Sequence, residues 1–132
     1  MSEIILPKES YELMSVLFEV HNELGPIYKE KDYADTVERK LILKSIPYFR
    51  ERKLSEFFPN VNIKALVPDF VIRMCIIFDA KAWRRIKDED VRQMCRYLDQ
   101  SGLPLGIVAN FRRQKLEYKR IINPKRDKVR WP

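Results

Sequence analysis

Two acids bracket an apolar run in the middle of this chain, and that bracket limits the local fold more than any other feature. Val67-Pro68-Asp69-Phe70 and Asp79-Ala80-Lys81 are separated so that nine residues lie between Asp69 and Asp79. Those residues, Phe70-Val71-Ile72-Arg73-Met74-Cys75-Ile76-Ile77-Phe78, are apolar and β-branched enough to form two short strands around a turn near Arg73-Met74. An antiparallel hairpin centred on Met74 sets Asp69 directly opposite Asp79. Opposite residues share a face, with Cβ atoms about 5 Å apart. Lys81, two residues beyond Asp79, points to the same face. Two carboxylates and an ammonium then meet at the open mouth of the hairpin, an oxygen-rich corner of the kind that Mg²⁺ selects.

The flanking sequence supplies the rest of an α/β domain. Leu13, Val16, Leu17, Val20 and Leu24 form one stripe at helical spacing, which predicts a helix over Ser10 to Leu24. Gly25-Pro26 ends it. A second helix is expected over Glu30 to Lys44, with Tyr33, Val37 and Leu41 on its inner face. Strands are expected over Tyr48 to Phe57, Ile63 to Ile72 and Cys75 to Ala82. A crossover helix over Lys87 to Gln100 then leads to strands at Leu105–Phe111 and Leu116–Ile122. This order predicts a four- to five-stranded mixed central sheet flanked by helices, in a single domain spanning 1–132.

Charge is distributed unevenly. Residues 1–111 carry seventeen Lys and Arg against seventeen Asp and Glu. Residues 112–132 carry nine basic residues against Glu117 and Asp127, which accounts for the whole net charge of +7. Phe111, Tyr118 and Trp131 are interleaved in this basic C-terminal segment, a pattern suited to phosphates and stackable bases. No apolar run approaches the roughly 20 residues that cross a bilayer, and the N-terminus has no signal-peptide pattern. Cys75 and Cys95 lack C-x-x-C spacing. They are read as buried reduced thiols, with the cytoplasm as the expected compartment.

The pattern P-D-x9-D-A-K resembles the signature of the PD-(D/E)XK nuclease superfamily, whose members cut phosphodiester bonds with Mg²⁺. Glu19-Val20-His21-Asn22-Glu23-Leu24-Gly25-Pro26, followed by Glu30-Lys31-Asp32-Tyr33, resembles the start of the small GxxExxY family within it. Gln93 and Tyr97 match the Q-x3-Y motif of RecB-type members, and Leu105 to Phe111 is similar to the strand that closes the core. The resemblance runs from about Tyr11 to Asn123. Two positions depart from the pattern: Ile27 stands where the family's first glycine belongs, and Asp79 stands where relatives usually carry glutamate.

That resemblance implies a restriction-endonuclease-like core and metal-assisted hydrolysis of nucleic acid, DNA rather than RNA, with Mg²⁺ as cofactor and Mn²⁺ able to substitute. Asp69, Asp79 and the carbonyl of Ala80 would hold the metal. Glu30 would ligate it directly or through water, and His21 matches the helix histidine that touches the metal in RecB-type enzymes. Lys81 would orient the attacking water or neutralise charge on phosphorus. Gln93 and Tyr97 would brace the site or touch the backbone of the nucleic acid. Arg84, Arg85, Arg112, Arg113 and Lys115 are the expected phosphate contacts. The expected partner is nucleic acid, not a membrane; a homodimer, or a subunit role in a larger DNA-processing complex, stays open. The competing class is a catalytically inactive nucleic-acid- or protein-binding module on the same fold.

Overall fold

The computed structural model describes residues 5–125; Arg126, Lys128, Arg130 and Trp131 of the basic segment lie outside the described residues. Helix α1 spans Pro7–Leu24. It starts three residues before Ser10 because proline's fixed φ and missing N–H suit a first helical turn. Gly25 closes it at a φ of 68°, a left-handed value that glycine reaches without steric cost. A short 3-10 turn over Gly25–Ile27 leads to α2, Glu30–Leu43. The backbone N–H of Lys29 donates to Asp32 Oδ2 at 3.1 Å and fixes the entry to α2. The third helix, α3, spans Asp88–Ser101 and opens the same way, with Lys87 N–H donating to Asp90 Oδ2 at 2.9 Å.

Five strands form one mixed sheet in chain order: β1 Tyr48–Arg50, β2 Phe70–Ile72, β3 Ile76–Lys81, β4 Leu105–Asn110 and β5 Glu117–Ile122. Neighbours are antiparallel except β3 and β4, which run parallel and are joined through α3. The β2–β3 register pairs Phe70 with Phe78 and Ile72 with Ile76, so the hairpin is centred on Met74 as its sequence predicts. Arg73 and Met74 take left-handed φ values of 52° and 51° at the turn. Such a conformation costs a side-chain-bearing residue roughly 1–2 kcal/mol. Arg73 offsets it with an ion pair to Glu12 at 2.8 Å and an N–H bond to the Pro47 carbonyl at 2.9 Å.

Alternation along β3 divides its side chains between two cores. Ile76, Phe78 and Ala80 pack with α1 and α2, including Leu17, Val20, Tyr33 and Leu41. Ile77 packs on the other face with Met94, Tyr97 and Leu98 of α3. Gly106 makes the second contact close: a Cβ there would sit 2.4 Å from Met94 Sδ.

The strands expected over Tyr48–Phe57 and Ile63–Ile72 are three residues each in the structure. Glu51 takes a left-handed φ of 54° and ends β1. A chain containing Pro59, Asn60, Asn62 and Pro68 then leaves the sheet, with a 3-10 turn at Leu54–Glu56. Its Leu54, Val61 and Leu66 are buried in the α3-side core. The apolar residues that suggested strand therefore serve as a covering layer. Cys75 and Cys95 are both free and half-buried rather than buried, and burial raises the Cys75 thiol to about 11.

Candidate active site

The site lies where β3 runs past the end of β2. Extending the observed register by one pair sets Asp69 against Asp79, and alternation from Val71 and Ile77 puts both on the α3 face. The two acids are tied reciprocally to the other strand's backbone. Asp69 N–H donates to Asp79 Oδ1 at 3.0 Å, and Ala80 N–H donates to Asp69 Oδ2 at 2.8 Å. Each carboxylate keeps its second oxygen without a protein partner among the described residues. In a strand, one residue's N–H and C=O point to the same side. The Ala80 carbonyl therefore faces the same edge as its N–H, toward Asp69.

Burial dominates the electrostatics here. Asp79, only 3 % exposed, has its carboxyl pushed up to about 7, first by burial and then by the charge of Asp69. Asp69 is raised too, chiefly by burial, against the opposing pull of the Ala80 N–H and of Lys81. Glu30, the first residue of α2, is raised by burial, while Lys81 lowers it and Asp69 and Asp90 raise it. The Lys81 ammonium thus acts on all three carboxyls. Tyr97 is pushed up to about 12 by burial and by Asp79, and its hydroxyl donates to the Val67 carbonyl at 3.2 Å.

The donor set suits a hard divalent cation. Two partly satisfied carboxylates, Asp79 buried and Asp69 half-buried, repel each other, and a carbonyl faces the same edge. Mg²⁺ commonly takes one or two carboxylates and completes its shell with water and phosphate oxygens. Among the described residues, no three His, Cys, Asp or Glu side chains converge as a ready ligand group. Glu30 therefore stands beside the Asp69–Asp79 pair, within electrostatic reach, rather than closing a three-acid cage. His21 does not join the pair either. Its Nε2 donates to the Arg113 carbonyl at 2.7 Å, and its ring lies 6.3 Å from that of Phe111. It braces the β4–β5 turn against α1, a contact that helical spacing gave no means to foresee.

Gln93 lies one turn before Tyr97 on α3, with its Oε1 accepting from Arg96 at 2.7 Å. Arg84, Arg85 and Arg113, together with Lys87, line one pocket of about 680 Å³. Arg112 lines a separate pocket with Glu30, and Lys115 stands exposed in the β4–β5 turn.

Two residues that the sequence reading passed over organise this corner. Asn110, fully buried at the end of β4, accepts from Trp83 N–H at 2.9 Å and donates to the Trp83 carbonyl at 3.0 Å and to Glu117 Oε1 at 2.9 Å. Glu117 Oε1 also accepts from Ile86 N–H at 2.9 Å. The loop after Lys81 is clasped to β4 and β5 by these bonds. Its one sequence signal was a polar amide ending the otherwise apolar run Leu105-Gly106-Ile107-Val108-Ala109. Trp83 carries the ammonium of Lys87 4.5 Å from its ring centroid and that of Lys81 at 5.8 Å.

A family model described as PD-(D/E)XK nuclease superfamily matches residues 7–121, most of the chain. No curated protein and no solved structure matches.

Proposed function

The chain belongs to the PD-(D/E)XK nuclease superfamily, and on that premise we propose that it is a metal-dependent nuclease hydrolysing phosphodiester bonds, in DNA rather than RNA. One observation carries the reading. Asp69 and Asp79 face each other across adjacent strands, each bonded to the other strand's backbone, with Lys81 one alternation further along β3. That is a construction for holding two carboxylates at a fixed separation beside a cation.

Asp69, Asp79 and the Ala80 carbonyl would hold Mg²⁺, with Mn²⁺ able to take its place. When bound, such an ion polarises a phosphoryl oxygen and lowers the pKa of a coordinated water. Lys81 places a positive charge among the three carboxyls, where it can orient the attacking water and offset charge gathering on the phosphoryl oxygens. Glu30, at the positive end of α2, can hold that water by a hydrogen bond and take up its proton. Tyr97 stiffens the pair from the α3 side through its bond to Val67. Arg84, Arg85 and Arg113 form a basic wall for the phosphates that flank the bond being cut.

Purified protein incubated with labelled DNA and RNA tests the reading. Cleavage is expected with Mg²⁺ or Mn²⁺ and none with EDTA. Asp79→Ala should lose both divalent-ion binding and cleavage, whereas Lys81→Ala should bind the ion and lose turnover. Metal-dependent cleavage by Asp79→Ala at the wild-type rate would remove the proposed site.

A further inference from the structure

Next to the acids lies a second pocket, of about 530 Å³, which shares Glu30 with the site. That size falls within the roughly 300–1,000 Å³ of sites that take small molecules. One wall is the turn between α1 and α2, where Ile27 is 81 % exposed and Tyr28 is 47 % exposed. Tyr28 is nonetheless fixed at its backbone, its N–H donating to Tyr33 Oη at 3.2 Å. The other wall is Trp83 with Arg112, on the loop that Asn110 clasps. Single exposed apolar side chains are ordinary on a protein surface. Here an aliphatic and two aromatic residues from separate elements converge on one pocket that also holds a site carboxylate and an arginine.

We infer that this pocket binds an unpaired nucleobase next to the phosphate to be cut, so that the substrate is single-stranded nucleic acid or a frayed end rather than continuous duplex. The inference rests on the nuclease reading and names its substrate class. A base inside a duplex has both faces covered by its neighbours and cannot enter between Tyr28 and Trp83. An unpaired base offers its π-faces to these rings and its phosphate to Arg112, the combination by which single strands are gripped irrespective of sequence. Trp83 Nε1 is buried without an acceptor among the described residues, and the ammoniums of Lys87 and Lys81 lie over the ring, so a bound base would meet positive charge beside the aromatic surface. Ile27 adds apolar surface at the rim.

The test is fluorescence anisotropy in EDTA with a labelled single-stranded oligonucleotide and a blunt duplex of the same sequence. The wild-type chain should prefer the single strand. Trp83→Ala and Tyr28→Ala should each weaken single-strand binding about tenfold and leave duplex binding within twofold, while Trp83→Phe, which keeps an aromatic face, should retain the preference. Circular dichroism melts establish that each variant is folded, and Tyr28→Ala carries the test if Trp83→Ala is not. Equal affinity for the two substrates, or equal losses on both, overturns the pocket. Cleavage with Mg²⁺ reports separately on the nuclease reading. Equal cutting of blunt duplex and single strand removes the substrate class alone. Single-strand preference without cleavage of either substrate removes the hydrolysis and leaves the base pocket standing.

Discussion

Asp79 is the residue whose environment departs furthest from that of an ordinary side chain, and it makes the metal-free fold sensitive to pH. Its carboxyl titrates at about 7 in the folded chain, against 3.8 for an unperturbed aspartate. Between those values the folded chain holds a proton that the unfolded chain has released, so the contribution of Asp79 to stability is fully present below about pH 4 and is lost as pH rises toward 7. The thermal midpoint of metal-free wild type should therefore decline across that window relative to that of Asp79→Asn, which is neutral at every pH, and added Mg²⁺ should raise the wild-type midpoint above pH 7, where both acids are charged. Parallel pH profiles for the two proteins would mean that Asp79 is solvated like a surface acid. Glu30 makes a complementary case. Glu30→Gln keeps size and some hydrogen bonding at the α2 N-terminus, so as a capping residue alone it should cost about 1 kcal/mol or less. A water-positioning role should instead lower turnover by orders of magnitude. Turnover and thermal midpoint measured on one preparation separate the two, and full activity with a lowered midpoint returns Glu30 to a structural role. The Asp69–Asp79–Lys81 set was legible because a period of two and a symmetric hairpin fix which residues share a face. His21 was not, because its partner is a backbone carbonyl ninety-two positions away, and a carbonyl has no signature in sequence.

Among the elements, helices and hairpin were readable and the covering segment was not. Amphipathic stripes settle α1 and α2 to within a few residues, since one helical face must be apolar whichever sheet it covers. Leu54, Val61 and Leu66 show the limit. Apolar residues among prolines and asparagines satisfy a strand or a buried loop equally well, and only the space left beside α3 decides between them. Asn110 is the element-scale feature with the clearest consequence, because one amide joins β4 to the loop that follows Lys81. Asn110→Ala strips the half-buried Trp83 backbone of an acceptor and a donor. Buried groups left unpaired cost roughly 1–3 kcal/mol, so denaturant midpoints should fall by a corresponding amount. Turnover, measured well below the melting temperature, should fall further than the stability loss explains, since the loop that follows Lys81 loses its anchor at Trp83. Unchanged turnover in a folded Asn110→Ala protein would show that β3 alone positions Lys81.

At the scale of the whole molecule, a neutral body carries a concentrated positive end. The +7 of the chain belongs to residues 112–132, and its described part, Arg112 to Lys125, runs through the turn beside the site and along the edge strand β5. Removing the end of the chain tests whether this charge grips nucleic acid, but the cut has to respect the fold. Asn123 is buried, and its Nδ2 donates to the carbonyls of Leu98 and Leu103 at 3.0 and 2.9 Å, pinning the end of α3. Lys125 pairs with Asp99. A truncation from Asn123 would therefore confound charge with packing, whereas one from Arg126 removes Arg126, Lys128 and Arg130 against Asp127, a net loss of two positive charges. Each phosphate neutralised contributes roughly 0.9 to the slope of log K against log salt on duplex DNA and about 0.7 on single strands. If the tail contacts phosphates, the truncated chain should bind nucleic acid more weakly at low salt, with a slope shallower by about one to two, and keep its divalent-ion affinity and thermal midpoint. A slope equal to that of the full chain would assign the grip to Arg84, Arg85 and Arg113 instead, which line one pocket with Lys87. Charge at the far end would then act on solubility and long-range attraction, not on contact.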